Sequence, residues 1–392
     1  MLKKIHFMGI LGRGMAGVAS LARKMGYEVT GCDLQSGGHD VTHLKDINLV
    51  VATPAVFYQS TQHSEFLEAK KRGILITWQE FLGKTLLKRK KVIAVAGTHG
   101  KSTTTAMVAK LLIDNGFDPI AVVGARVPEW GGGSRFGKGE YAVVEADEFN
   151  DNFLNYKPEI AIINNIEFDH PDYFKNEAQV RKSFSKFIRK LTGPKILITQ
   201  KDNLGKRFNL RIWGEHNQKN ANMVYVLGKK LGIKEETIIK SLESFEGIGR
   251  RMELISDVGG IKVYDDYAHH PTAIKATQDA IREKYPKQRI WAVYEAHSYS
   301  RTKALLSRYK GVFDSADKVV IGPIFKARDT ENFGISEESI KKASGHKDVI
   351  CFDETEKMFK HLKDSLKSGD IILVMGAGKS YLWAKEICNL KI

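Results

Sequence analysis

The chain has 392 residues, 42% of them hydrophobic, 27% charged and 35 of them glycine, which excludes disordered and fibrous classes and fits a soluble α/β protein of two or three domains. Its net charge of +15 would attract nucleic acid or anionic membranes, and equally small polyanions such as nucleotides. Cys32, Cys351 and Cys388 share no C-x-x-C or C-x-x-x-x-C spacing, which argues against a zinc site or disulfide framework and for a reducing compartment.

The opening Met1-Leu2-Lys3-Lys4-Ile5-His6-Phe7 has the look of a signal peptide, but Gly9, Gly12, Arg13, Gly14 and Gly17 interrupt any apolar helix. It reads as a first strand, and no later stretch is long enough to span a membrane, so no membrane partner is expected. Ile5 to Ile10 and Glu28 to Cys32 form strands around a helix, and Asp33 closes the second. Gly12, Gly14 and Gly17 overlap a G-x-G-x-x-G pattern with an acidic residue about 20 positions on. That fingerprint leaves NAD, another nucleotide diphosphate, or a plain helix-to-strand contact open. Asn48 to Thr53 and Ile74 to Thr77 supply further strands, and the basic run Lys88-Arg89-Lys90-Lys91 reads as a solvated linker and first boundary.

From Val92 a second alternating unit begins, and it carries the strongest signal. Ala-Val-Ala-Gly-Thr-His-Gly-Lys-Ser-Thr-Thr-Thr, residues 94–105, follows an apolar strand and opens a helix. Gly97 and Gly100 let backbone N–H groups turn toward oxyanions, Lys101 brings a charge to the β/γ-phosphates, and Ser102 offers a hydroxyl to Mg²⁺. Gly97, Thr98, His99, Gly100, Lys101, Ser102 and Thr103 are therefore the expected ATP-binding run. Val95 stands where a strict loop of this type wants glycine, so an ordinary strand-to-helix turn is the alternative. Further strands fall at Ile120 to Gly124, Tyr141 to Ala146, Ile160 to Ile166 and Lys195 to Thr199, continuous apolar runs that suit a buried parallel sheet. Glu145-Ala-Asp147-Glu148 ends one, and Asn164-Asn165-Ile-Glu167-Phe-Asp169-His170 ends another. A loop hydroxyl plus one strand-end carboxylate suffices for Mg²⁺, which keeps several waters. His170 is less usual beside that ion, and capping a helix is its bland alternative.

Helical periodicity runs from Asn220 through Leu242, and Glu246-Gly247-Ile248-Gly249 reads as a hinge. A third unit follows, with strands near Ile261 to Asp265, Ile290 to Tyr294, Lys318 to Ile321, Val349 to Phe352 and Ile371 to Met375. Asp265-Asp266-Tyr267-Ala268-His269-His270-Pro271 leaves one strand, and Glu295-Ala-His297-Ser-Tyr299-Ser-Arg301-Thr302 leaves another, at the ends where open α/β sheets hold ligands. Adjacent residues on an extended chain point to opposite faces, so His269 and His270 are poorly placed to share one metal.

These motifs, with Gly214-Glu-His216-Asn217-x-x-Asn220 and Gly249-Arg250-Arg251, occur in the order found in the Mur ligases, which the chain resembles along all three units. The branch joining L-alanine to UDP-N-acetylmuramate is the more similar, and a sister branch adding a tripeptide fits the Asn164 to His170 stretch as well. The resemblance implies an α/β fold of three domains: a Rossmann-like UDP-sugar domain (1–88), a central P-loop ATPase domain with a mostly parallel sheet (89–248), and a Rossmann-like amino-acid domain (249–392). It implies ATP and Mg²⁺, an acyl-phosphate intermediate, a cytoplasmic enzyme of cell-wall precursor synthesis, and a monomer or homodimer. Lys101, His170 and His269 would be catalytic. Ser102 and Glu145 would hold one Mg²⁺ and His170 a second. His216, Asn217 and Asn220 would line the adenine, Arg251 would reach the phosphates, and Asp266 would complete the site. Gly12, Gly14 and Asp33 would serve the UDP-sugar, and His297 and Arg301 the other substrate. Relatives insert a longer segment between Asp33 and Gly38-His39, so that pocket is expected to be trimmed.

Two readings from other classes compete. A nicotinamide-dependent oxidoreductase would use the first glycine turn but leaves Gly100-Lys101-Ser102 unexplained. A P-loop protein acting on nucleic acid would use the basic charge, but no aromatic-interleaved basic motif is present, so no nucleic-acid partner is expected.

Overall fold

The computed structural model describes residues 3–59 and 62–390, and within them the strands form three separate sheets. The first holds β1 (Lys4–Met8), β2 (Glu28–Cys32), β3 (Leu49–Ala52) and β4 (Leu75–Thr77) in the order β2-β1-β3-β4, all parallel. β1 stops at Met8 because Gly9 turns to φ +82°, two residues earlier than expected. The helix Arg13–Lys24 returns the chain, burying Met15, Val18, Ala19 and Ala22 at helical spacing.

The second sheet holds β5 (Lys91–Ala96), β6 (Ile120–Val127), β7 (Gly132–Arg135), β8 (Tyr141–Glu145), β9 (Ile160–Ile163) and β10 (Ile196–Thr199), in the order β10-β9-β5-β8-β6-β7. It is parallel except for β7, which runs back along β6. β5 is buried from Val92 to Ala96 and β9 throughout, as a sheet covered on both faces requires. The helical periodicity from Asn220 through Leu242 belongs to two helices, Glu215–Lys230 and Glu235–Glu243. Gly232, at φ +74°, breaks it.

The third sheet holds β11 (Glu253–Val258), β12 (Ile261–Asp266), β13 (Ile290–Glu295), β14 (Lys318–Ile321), β15 (Val349–Cys351) and β16 (Ile371–Gly376), in the order β11-β12-β16-β13-β14-β15. Only β11 is antiparallel. Its two faces feed two cores by strict alternation. Ile290, Ala292 and Tyr294 enter one with Leu373 and Met375, while Trp291 and Val293 enter the other with Ile372 and Val374.

The chain divides into two compact units. The first comprises residues 1–166, 181–204 and 221–242, with the first two sheets; the second comprises 167–180, 205–220 and 243–392, with the third. Among the described residues no helix is long and apolar enough to cross a membrane.

Candidate active site

In the first unit β5 delivers the phosphate-type loop. Gly97 (φ +138°) and Gly100 (φ +79°) both take conformations closed to most side chains, and Gly100 caps the helix Lys101–Asp114. A Cβ on Gly97 would meet Asn164 Cβ at 3.0 Å. The N–H groups of a helix's first turn have no intrahelical partner and favour an anion.

The loop is held from the side by the end of β9. Asn165 Oδ1 accepts from the His99 N–H at 2.8 Å, Asn165 Nδ2 donates to the His99 carbonyl at 3.1 Å, and the Asn165 carbonyl accepts from the Thr98 N–H at 3.2 Å. Asn164 Nδ2 donates to Thr104 Oγ1 at 2.9 Å. These bonds explain why β9 ends at Ile163 rather than at Ile166: its next two residues turn into the loop.

Lys101 Nζ donates to Glu148 Oε2 at 2.8 Å and to the Gly97 carbonyl at 2.7 Å, with Asp147 Oδ1 at 3.8 Å. Burial alone would lower the Lys101 pKa, but Glu148, Asp147 and Glu145 outweigh it and hold it above the ordinary value. Ser102 Oγ donates to Glu145 Oε1 at 3.0 Å, and Glu145 Oε2 accepts from the Gly124 N–H at 2.6 Å. The expected Mg²⁺ pair thus stands together, a hydroxyl and a carboxylate, the hard oxygen donors that this ion takes. Glu148, Gly124 and the Asn165 clasp were not among the expected site residues. Their strand-end positions were visible, but their partners were not.

At the first sheet, Asp33 Oδ2 accepts from the Leu11 N–H at 3.1 Å and Oδ1 from the Gln35 N–H at 3.1 Å. The carboxylate thereby braces the glycine turn and its own loop. A Cβ on Gly14 would stand 3.1 Å from the Trp78 ring, and one on Gly17 3.2 Å from Ser134 Cβ, so these two glycines permit close packing. Gly12 precedes the helix with φ −61°.

The second unit gathers the remaining candidates. Arg301 grips Asp169 with Nε at 2.7 Å and Nη2 at 2.5 and 2.6 Å, a bidentate pair in which both residues are buried. Burial would raise the Asp169 carboxyl, yet Arg301, His170, His269 and His270 hold it well below the ordinary range. Asp169 Oδ1 also accepts from the His170 N–H at 2.7 Å, and His170 sits at φ +54°. Arg301, expected to touch substrate, also anchors the turn that carries His170.

His269 and His270 do point apart. His269 Nδ1 lies 2.8 Å from the Tyr267 carbonyl, whereas His270 Nε2 lies 3.2 Å from the Phe168 carbonyl and its Nδ1 accepts from the Thr272 N–H, capping the helix Pro271–Lys284. Burial and then Arg301 push His269 well below its ordinary pKa, and the same causes bring His297 to about 4. His297 stacks on Phe325, its ring 6.3 Å from that of His269. Asp266 accepts from the Met252 and Ala268 N–H groups at 2.8 and 2.7 Å. Arg250 is committed to Asp265, the Gly376 carbonyl and Ser380. The Arg251 guanidinium lies over the Tyr267 ring at 5.2 Å. At the start of the helix Glu215–Lys230, Asn217 Nδ2 donates to the Trp213 carbonyl at 2.7 Å and Asn220 Nδ2 to Asn217 Oδ1 at 3.3 Å. A Cβ on Gly214 would stand 2.7 Å from His216 Cε1, so His216, Asn217 and Asn220 share one place. Glu295, ending β13, accepts three N–H groups from Gly378, Lys379 and Ser380 at 2.9 to 3.0 Å.

This order of loop, strand-end acids and late glycine turn is shared with known proteins. Three family descriptions match in succession: "Mur ligase family, catalytic domain" over residues 4–90, "Mur ligase middle domain" over 95–230, and "Mur ligase, glutamate ligase domain" over 250–378. The UDP-N-acetylmuramate–L-alanine ligase of Pelotomaculum thermopropionicum is 34% identical, the match covering 98% of this chain and 96% of that one. The chain belongs to the Mur ligase family. The enzyme of the same name from Aquifex aeolicus is 32% identical over 98% of this chain and 97% of its own. Among solved structures, the UDP-N-acetylmuramate-alanine ligase of Thermotoga maritima superposes with a TM-score of 0.80 at 25% identity, covering 98% of both chains. A murein peptide ligase from Psychrobacter arcticus gives 0.68 at 25% identity over 99% of this chain and 98% of that one.

Proposed function

We propose that this member of the Mur ligases is an ATP-dependent ligase joining the carboxylate of UDP-N-acetylmuramate to the amine of L-alanine, in peptidoglycan precursor synthesis. The supporting observation is the Ser102–Glu145 pair beside Lys101 in a chain aligned almost end to end with L-alanine ligases. In this reading the substrate carboxylate oxygen bonds to the ATP γ-phosphorus and ADP leaves. The amine nitrogen then bonds to the acyl carbon, inorganic phosphate leaves, and one proton is released.

Charge builds on the transferring phosphoryl group, so a fixed ammonium and loop N–H groups lower the barrier chiefly by electrostatics and positioning. Lys101 supplies the first, and residues 97–103 the second. Ser102 and Glu145 would hold Mg²⁺, which neutralises phosphate charge when bound, and His170 is proposed for a second ion. His269 Nδ1 faces a carbonyl and therefore carries the proton, which leaves Nε2 as an acceptor for the incoming amine. Gly12, Gly14 and Asp33 are assigned to the UDP-sugar; His216, Asn217, Asn220, Arg251 and Asp266 to the nucleotide; and His297 and Arg301 to the amine substrate. We assign domains to residues 1–88, 89–248 and 249–392, a cytoplasmic location, and a monomer or homodimer.

The likeness to a murein peptide ligase favours a second reading, in which a tripeptide is the amine. Phosphate release from ATP, measured with UDP-N-acetylmuramate and a panel of L-alanine, other amino acids and the tripeptide, separates them. L-alanine should give the highest kcat/KM. No release with any amine would overturn both.

A further inference from the structure

Donors of metal-ligand type meet beneath the first sheet. β1 carries His6, β2 ends on Cys32, a short turn over Val41–Leu44 carries His43, and the helix Ser64–Lys71 carries Glu65. One donor atom from each lies within 4.8 Å of the other three. His6 Nε2 is 2.9 Å from Glu65 Oε1 and 3.2 Å from Cys32 Sγ, which is 3.3 Å from Glu65 Oε2. His43 Nδ1 is 3.4 Å from Glu65 Oε1, and also 3.4 Å from the Asp40 N–H nitrogen. His39 Nδ1 stands 3.0 Å from Cys32 Sγ and 3.3 Å from Glu65 Oε2.

Hydrogen bonds account poorly for this crowding. The thiol and the one facing nitrogen of each imidazole bring at most one proton each to these contacts. Yet one sulfur, three nitrogens and two carboxylate oxygens make seven approaches of 3.7 Å or less. A single cation at their common point serves the central contacts together. Bonds of about 2.0–2.3 Å in a tetrahedron set neighbouring donors roughly 3.3–3.7 Å apart, near the spacing seen.

The donor types select the ion. A soft thiolate with imidazoles and one carboxylate suits zinc, whereas Mg²⁺ and Ca²⁺ take oxygen alone. Burial selects the role: Glu65, His6 and Cys32 are 0, 2 and 4% exposed, which describes a closed structural site rather than an open catalytic one. The His43 side chain, 34% exposed, gives the ion a way in. His6 is also aimed from behind, since its Nδ1 lies 2.8 Å from Thr30 Oγ1 and leaves Nε2 toward the cluster.

We propose that His6, Cys32, His43 and Glu65 bind one zinc ion, with His39 hydrogen-bonding the thiolate from outside, and that this ion ties the short segment after β2 to the sheet. The full chain, purified without chelator or nickel resin, should contain one zinc per molecule by plasma mass spectrometry. Cobalt added to the stripped chain should give a thiolate-to-cobalt charge-transfer band and the intense visible bands of a tetrahedral centre. Cys32→Ser should remove the charge-transfer band, and Cys351→Ser should leave it. Zinc should raise the melting temperature of the stripped chain. Substoichiometric zinc with no cobalt–thiolate band overturns the proposal, as does a band that survives Cys32→Ser. The cobalt spectrum of the unmodified chain decides even if Cys32→Ser does not fold.

Discussion

The Lys101 ammonium and the Glu148 carboxylate are 2.8 Å apart, Glu148 being buried. In the proposed function a nucleotide phosphate would therefore meet a lysine already paired, held in one direction and charged at neutral pH. Lys101→Ala leaves the buried Glu148 carboxylate without its ammonium, at a cost of about 3–5 kcal/mol in stability, and the variant that still folds should release phosphate from ATP about 100-fold or more slowly. Full activity in the variant would remove Lys101 from the reaction.

The same pair sets an alkaline limit. Lys101 titrates above the ordinary lysine value of 10.5 because its acidic neighbours outweigh burial. A raised pKa means that the pair's contribution is complete below the ordinary value and is lost as pH rises through the folded one. In Glu148→Gln the fall in ATP turnover at high pH should begin at lower pH than in the unmodified chain. Coincident alkaline limbs would show that Glu148 does not govern this lysine.

Gly124, on the neighbouring strand β6, donates to Glu145 of the pair proposed to hold Mg²⁺. A Cβ there would fall 2.9 to 3.1 Å from the Glu145 carboxylate, a movable side-chain end, so Gly124→Ala should fold and displace that group from Ser102. Groups that orient metal ligands are worth about 10–100-fold in metal affinity. The Mg²⁺ concentration for half-maximal activity should rise by about tenfold, with the melting temperature nearly unchanged. An unaltered Mg²⁺ requirement would place the ion elsewhere.

Arg301 and Asp169 test a different kind of contribution. Removing one partner of a buried ion pair strands the other charge and costs about 3–5 kcal/mol. Arg301→Met should show that loss in urea unfolding, and Arg301→Lys should recover only part because it cannot grip both oxygens. The Asp169 carboxyl lies below its ordinary value of 3.8, so its contribution is present above that pH and lost as pH falls through the folded value.

Much of this was legible because local chemistry and global position agree. Val92 to Ala96 announces a buried parallel strand, and Gly97 and Gly100 announce the turn that only they can make. β7 and β11 escaped. Gly132-Gly133 reads as loop, yet it pairs with β6, where a Cβ on Gly133 would stand 2.6 Å from the Val123 carbonyl. β11 is tied to β12 by Gly259-Gly260, both at positive φ, a two-residue hairpin turn. Long-range partnerships left no local trace. Asp169 and Arg301 are 132 residues apart, and the cysteine spacing that argued against zinc says nothing of a site whose four donors come from four elements.

The imidazoles of His269 and His297 supply a last test, since both titrate below the ordinary 6.5, His297 at about 4, through burial and the nearby Arg301. Between those values and 6.5 the unfolded chain binds protons that the folded chain refuses, so stability must fall as pH drops through this window. Melting temperature should decline from neutral toward acidic pH, less steeply in His297→Gln. Catalysis should behave otherwise. A His269 that stays neutral contributes no acidic limb near its ordinary pKa, and His269→Ala should cut amide formation far more than ATP binding. An activity limb near 6.5 that vanishes in His269→Ala would show that this imidazole is protonated near neutrality, against the environment that surrounds it.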